Sequence, residues 1–355
     1  MDSVRPMAPE ASAAGEHSGG PSRKESKIVS NQAKRSFELD QPEGPASRIA
    51  GRLAILAAVL LPLTMAASEN VPHRPFAYWA NLPAPRQFML GLVYEESESY
   101  HIWAADKYNN VTVKSGGESY GIDINQGYLA LQYGIKEKWA ADLNFGATTV
   151  GWRKFDSNES AQSTTGLMDW SFGVRYQAYN ELKQTNLPWM PTLTLRAGAV
   201  LPGSYNKNFA FAPGLRSAAI EPEVLARKHF GWPGLGAFGD ALYRWNRTTG
   251  NDQCIVSIGL FQQIKGWELD AGYRHLQTLS GGDIIYDPND PGGIYYPREV
   301  RENNDAFEAG FSYTTSKRRI RYGFYSRTVF DGNNSDRKFW VGASIDIPIG
   351  GARED

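Results

Sequence analysis

The stretch 139-WAADLNFGA-147 reads in steps of two: Trp139, Ala141, Leu143, Phe145 and Ala147 share one parity, and Asp142, Asn144 and Gly146 share the other. Successive side chains of an extended chain point to opposite sides, so this pattern predicts a strand with one apolar and one polar face. The same period returns downstream. Trp170, Phe172, Val174, Tyr176 and Ala178 oppose Asp169, Ser171, Arg175 and Gln177, and Leu193, Leu195, Ala197, Ala199 and Leu201 oppose Thr192, Thr194 and Arg196. Trp267, Leu269, Ala271 and Tyr273 then oppose Glu268, Asp270 and Arg274. Near the end, Phe307, Ala309, Phe311 and Tyr313 oppose Glu308 and Ser312; Ile320, Tyr322 and Phe324 oppose Arg319, Arg321 and Arg327; and Phe339, Val341, Ala343, Ile345 and Ile347 oppose Lys338, Ser344 and Asp346.

Weaker runs near 86–97, 119–135, 218–230, 236–246 and 253–263 bring the count to twelve strands. In 119–135 the upper half (Ile122, Ile124) and the lower half (Leu129, Leu131, Tyr133) disagree in parity, which predicts a bulge near Gly127. The connections alternate in length. Lys136-Glu137-Lys138, Lys265-Gly266 and Ser316-Lys317-Arg318 are short, with medium ones at 181–190 and 231–236; the others, at 98–118, 152–165, 202–217, 247–252, 280–302 and 331–336, are longer. An even strand count with short turns at one end and long loops at the other predicts an all-β, transmembrane antiparallel barrel of about twelve strands, with short periplasmic turns and long extracellular loops. In such a barrel the apolar face meets lipid and the polar face lines the lumen. Trp139 and Trp267 follow short turns, and Trp152 and Trp245 sit near the long-loop end, as aromatic girdles at two interfaces would.

The composition agrees. The 355 residues carry 37 Lys and Arg against 38 Asp and Glu, a net charge of −1, which lacks the basic excess of a nucleic-acid partner. A single Cys excludes a disulfide framework. Gly (36) and aromatic residues (12%) are abundant, as closed β-structures facing lipid require.

The front of the chain reads as an address. Residues 1–47 are rich in Ser, Ala, Gly, Glu and Pro without periodicity, and are expected to be a disordered leader or to precede the true start. Arg48 and Arg52 then flank 53-LAILAAVLLPL-63, which ends in Ala66-Ala67-Ser68. A basic flank, a short apolar core and a small-residue exit make 48–67 a signal peptide, cleaved near Ala66 or Ala67. The run is too short for a spanning helix, which needs about 20 residues. The remaining organisation is a periplasmic N-terminal segment at 68–85, a barrel over 86–350 and a polar tail at 351–355.

The segment from about 166 to 281 resembles the family of outer-membrane barrels named for the MetA pathway of phenol degradation. The likeness lies in Asp169-Trp170-Ser171-Phe172-Gly173-Val174-Arg175-Tyr176, in Leu195-Arg196-Ala197-Gly198-Ala199-Val200-Leu201-Pro202-Gly203, and in Glu268-Leu269-Asp270-Ala271-Gly272-Tyr273-Arg274. The family's Leu-Pro-Thr-Gly turn lacks its Thr here. The chain also ends on Ile347-Pro348-Ile349-Gly350 and a polar tail rather than a terminal aromatic. The resemblance implies passage or capture of small apolar or aromatic compounds in an outer membrane, with lipid and the barrel-assembly machinery as partners and no cofactor.

Catalytic chemistry is sparse. The five His residues form no metal-ligand pair, and the double glycines at 116–117 and 292–293 precede no helix, so no metal, nucleotide or catalytic group is expected. His275, with Gln277 and Ser280 nearby, is the one place where a lipid-modifying site would fit. The lumen holds the candidate functional residues. Asp142, Asp169, Arg175, Arg196, Glu221, Glu223, Arg227, Asp240, Arg244, Glu268, Asp270, Arg274, Glu308, Arg321 and Arg327 share the inward parity. Seven Arg against eight acids suit either a self-neutralising, sealed interior or a polar path with little ion preference. Twelve strands lie between filled eight-stranded barrels and open porins, which favours a narrow or partly plugged conduit. Loops 98–118 and 280–302 would act as lids, with Tyr286, Tyr295 and Tyr296 available to touch an aromatic solute.

Overall fold

The computed structural model describes residues 79–351, apart from 111–112, 116–117, 153–161, 185, 207–213, 215–216, 232, 248–250, 287–293 and 296–299. The expected leader (1–47), the expected signal peptide (48–67), residues 68–78, most of the expected polar tail and Tyr296 lie outside the described residues. So do the side chains of Trp152, Tyr286 and Tyr295.

Twelve long strands form the wall: β1 Gln87–Ala104, β2 Ile122–Lys136, β3 Trp139–Trp152, β4 Trp170–Tyr179, β5 Thr192–Leu201, β6 Ala219–His229, β7 Leu235–Asn246, β8 Gln253–Ile264, β9 Trp267–Thr278, β10 Asn303–Thr314, β11 Arg321–Asn333 and β12 Asp336–Gly350. Each pairs antiparallel with its sequence neighbours. The sheet closes where β1 meets β12, from Gln87 opposite Gly350 to Ile102 opposite Asp336. Closure leaves the wall no open edge, which is what a strand-built structure in hydrocarbon needs to satisfy its backbone. Lys265 and Gly266, at φ 49° and 89°, turn β8 into β9 in two residues. Two successive positive φ values match the twist of the flanking strands.

The faces of the wall divide as the alternation predicts. On β8, Val256, Ile258 and Leu260 are exposed, Ile258 at 63%, while Ser257 and Phe261 are buried. On β3, Asp142 and Asn144 are buried inside the barrel. Apolar side chains outside and charged ones inside invert the arrangement of a water-soluble barrel.

Two expectations are corrected. The alternation predicts a bulge near Gly127, but the ladders run through Gly127 on both sides, opposite Tyr94 and Ala147, and the irregularity lies at Gly134/Lys136. Ile122 and Ile124 keep the inward parity and are fully buried, whereas Asp123 and Asn125 face outward. The polarity changes there rather than the register, because this end of the wall bears polar groups on its outer face. Secondly, the supposed loop 98–118 is largely strand: β1 continues to Ala104, Lys107–Asn110 folds back on it, and Val113–Ser115 pairs with Glu118–Tyr120. In the same way Gln162–Leu167 pairs with the upper part of β3, above the stretch that pairs with β4.

Candidate functional site

The interior positions read from the sequence converge. All fifteen lie on inward strand positions or at a strand start; fourteen are buried and Asp270 is half-buried. Arg196 on β5 is the centre of the largest group. Its Nε and Nη2 donate to the two oxygens of Asp142 at 3.1 and 2.8 Å, and Nη2 also donates to Ser171 Oγ at 3.0 Å. Its Nη1 reaches Glu221 at 3.3 Å and Glu223 at 3.4 Å. Such a two-pronged guanidinium–carboxylate contact is the strong form of the pair. The sequence makes room for it with two inward glycines. A Cβ on Gly198 would stand 2.4 Å from Arg196 Nη1, and one on Gly173 would stand 2.7 Å from Nε.

The network spreads along the wall. Arg175 Nε lies 3.5 Å from Asp142, and Arg244 Nη2 lies 2.7 Å from Glu221. Arg227 Nη2 pairs with Glu268 at 2.9 Å and its guanidinium stacks on Phe261 at 3.7 Å. Arg321 lies 3.7 Å from Glu268 and 3.9 Å from Asp346. Arg327 Nε donates to Glu308 at 2.6 Å. Asp240, Ser257 and Arg274 follow one another across β7, β8 and β9 in register. Asp169 has a different task, accepting Gly203 N–H at 2.7 Å and the Tyr205 hydroxyl at 3.0 Å, so it holds the loop after β5.

Three interior features were not among the predicted site residues. Glu95 on β1 accepts hydrogen bonds from Gln126, from Tyr128 at 3.2 Å and from Tyr325 at 2.5 Å. Its strand is one of the weakly alternating runs, so its facing carries little signal. Lys338 pairs with Asp336 at the long-loop end of β12, where neither is exposed by more than 2%. The third feature is the chain itself. Trp79, Ala80 and Asn81 enter the bore, where Arg175 Nη1 donates to the Trp79 carbonyl at 2.9 Å and the Asn81 carbonyl at 3.4 Å. Gln177 and Thr194 both donate to the Ala80 carbonyl, at 3.1 and 2.7 Å. The Arg175 guanidinium also lies 4.1 Å from the centre of the Trp79 ring, which packs with Leu225. A cavity of about 40 Å³ separates this segment from Tyr325 and Arg321, with Asp270 and Asp346 on its wall.

On the outer wall, His275 Nδ1 lies 2.7 Å from Asp305, which also accepts the Tyr273 hydroxyl. Ser280, its neighbour in sequence, donates to Asn251 at 3.0 Å instead. The outer tyrosines recur in this role: Tyr94 donates to Asn125 at 2.9 Å and Tyr243 to Asp252 at 2.7 Å. Among the described residues no group of three or more His, Cys, Asp and Glu could hold a metal ion.

With this geometry in place, the wall can be set beside solved structures. It is similar to an outer membrane channel of the COG4313 group from Pseudomonas putida F1, at 13% identity and TM-score 0.57, over 79% of this chain and 100% of that one. The fold is that of an outer-membrane β-barrel. Looser likenesses are the translocator domain of the autotransporter NalP from Neisseria meningitidis (11% identity, 85% and 97% covered, TM-score 0.43) and the P. putida toluene transporter TodX (10%, 78% and 93%, 0.39). No family model and no curated protein matches the chain.

Proposed function

We propose that this barrel resides in the outer membrane of a Gram-negative bacterium after removal of its signal peptide, and serves passage or capture of small solutes, apolar or aromatic ones among them. The observation that carries the reading is the inverted wall: an apolar outer belt around an interior of paired charges. Burying that many ionised groups is costly, whereas a barrel in water would place them outside. The COG4313 outer membrane channel from P. putida F1 has a similar fold, and the sequence resemblance to the MetA-pathway family points the same way. Most interior charges are paired with one another, which suits a solute of no net charge. The partners are then outer-membrane lipid, the barrel-assembly machinery and a small molecule.

A second reading is a sealed structural barrel. It is favoured by the burial of Arg196 and Asp142, whose side chains have no exposed surface, and by the Trp79–Asn81 segment in the bore. A lipid-modifying role at His275 is less supported, since Ser280 bonds elsewhere.

Fractionation and liposome swelling test the proposal together. The protein should sediment with outer membranes, migrate with heat-modifiable mobility, and admit small uncharged solutes into proteoliposomes. Intact leader and recovery in the soluble fraction would overturn the location. Outer-membrane recovery with neither swelling nor binding of aromatic probes would leave the sealed barrel.

A further inference from the structure

We infer that the connection between β4 and β5 is a preformed anchor for the phospholipid leaflet at the short-turn end. The inference rests on the membrane reading above and adds a lipid-binding surface to it. The turns β2–β3 and β8–β9 present polar tips, Glu137-Lys138 and Lys265-Gly266. The β4–β5 connection instead exposes Leu182 at 72% and Trp189 at 73%, with Leu187 also uncovered. Loose loops expose apolar groups incidentally, but this one is clamped. The Tyr179 hydroxyl donates to the carbonyls of Gln184 and, at 2.8 Å, Leu187; Asn180 Oδ1 accepts the N–H groups of Leu182 and Lys183 at 3.0 and 3.3 Å. From the neighbouring strand, Lys228 Nζ pairs with Glu181 at 3.0 Å and donates to the Pro188 carbonyl at 2.6 Å, and His229 Nδ1 lies 2.6 Å from Glu181.

A rigid loop that spends its polar groups on its own clamp and turns Leu and Trp outward has its ordering cost met before it meets a partner. The occupant is indicated by continuity. Phe230, 45% exposed, carries the outward parity of β6 down to the same end, and Leu195, Trp139 and Trp267 continue the apolar belt around it. Trp is the residue favoured at a headgroup boundary, and exposed Lys183, next to Leu182 in the chain, suits lipid phosphate.

The test uses the full chain with Cys254→Ser, and single cysteines introduced by Trp189→Cys, Leu182→Cys and, as a mid-belt control, Ile258→Cys. Each is labelled with an environment-sensitive fluorophore and reconstituted into phosphatidylethanolamine–phosphatidylglycerol vesicles. Spin-labelled lipid should quench positions 182 and 189 at least twofold more than iodide, with a shallow spin label more effective than a deep one; position 258 should show the reverse depth order. Lipid quenching at 258 with iodide quenching at both 182 and 189 overturns the anchor and leaves that face to a water-borne partner. Iodide quenching at all three overturns the membrane reading itself. Heat-modifiable mobility of each variant checks that the barrel has formed.

Discussion

Removing one guanidinium from the centre of the interior tests how dry that interior is. Arg196→Ala strips Asp142 of three hydrogen bonds, Ser171 of one, and Glu221 and Glu223 of a contact each. Two of these acids keep a cation: Arg175 stays 3.5 Å from Asp142, and Arg244 stays 2.7 Å from Glu221. Deleting one partner of a buried pair costs about 3–5 kcal/mol. With those neighbours in place the expected loss is at the lower end, about 3 kcal/mol. Arg196→Lys keeps the charge but not the two-pronged geometry and should lose less. The assay is denaturant unfolding in phospholipid vesicles, followed by gel mobility without heating. Pairing Arg196→Ala with Asp142→Asn should recover part of the loss, since one of the three carboxylates that shared the lost guanidinium is then neutral. A loss below about 1 kcal/mol is what a solvated pair gives; that result would refute the buried network and favour a water-filled conduit. Conductance of the same variant should change if solutes pass this point and stay at zero if the barrel is sealed.

Further tests address other parts of the wall. Ile258→Arg, on the middle of the lipid-facing belt, should cost about 2–4 kcal/mol, whereas Glu96→Lys, on the same face near the long-loop end, should cost about 0–1 kcal/mol; equal costs would sink the facing. Gly198→Ala puts a methyl 2.4 Å from the clamped Arg196 and should destabilise by about 1–3 kcal/mol, while Gly231→Ala meets nothing within 4 Å and should be silent in the same melt. Burial acts to raise the Glu181 pKa, but hydrogen bonds from the His229 ring, the Lys228 ammonium and the His229 N–H outweigh it and hold the carboxyl below its ordinary value. A depressed carboxyl stabilises the folded loop above its unfolded-state pKa and loses that contribution as pH falls through the lower folded value. Proteolysis of the β4–β5 connection should therefore accelerate on acidification, and Glu181→Gln should abolish the dependence.

The strands and their facing are legible because a wall with lipid outside writes its period into the sequence, residue by residue. Asp142, Arg175 and Arg196 can be assigned inward from their own neighbours in the chain. What they bond to is not legible, because each partner lies on another strand and depends on stagger: Asp142 meets Arg196 across 54 positions. Glu95 is missed for a related reason, since its strand alternates weakly and its partners Tyr128 and Tyr325 are 33 and 230 positions away. The entry of Trp79–Asn81 into the bore has no periodic signature at all. It is held through backbone carbonyls, which every residue possesses, by Arg175, Gln177 and Thr194.

The false bulge at Gly127 is itself informative about where hydrocarbon ends. Along β9 the outward face runs from Trp267 through Leu269, Ala271 and Tyr273 to His275, and β10 answers with Tyr313, Phe311, Ala309 and Phe307 before Asp305. The six steps from Trp267 to Tyr273, of about 3.3 Å each and inclined by about 40°, span roughly 15 Å, the greater part of the apolar band of an outer-membrane barrel (about 25 Å). Tyr273 ends the apolar run with its hydroxyl on Asp305, and Tyr94 does the same on β1, with Glu96 and Glu98 beyond it. Above that level the outer face of β1 and β2 is polar and the inner face holds Ile102, Ile122 and Ile124, all buried. A strand that kept the membrane parity there would set isoleucines in water and carboxylates in the packed mouth. On β2 the polarity changes without a change of register, and on β1 a bulge between Ser99 and His101 turns Ile102 inward; both mark the interface. It also means that β1, β2 and β3 carry the wall past the membrane on one side, where Ile102, Ile122, Ile124 and Val150 are packed away from water.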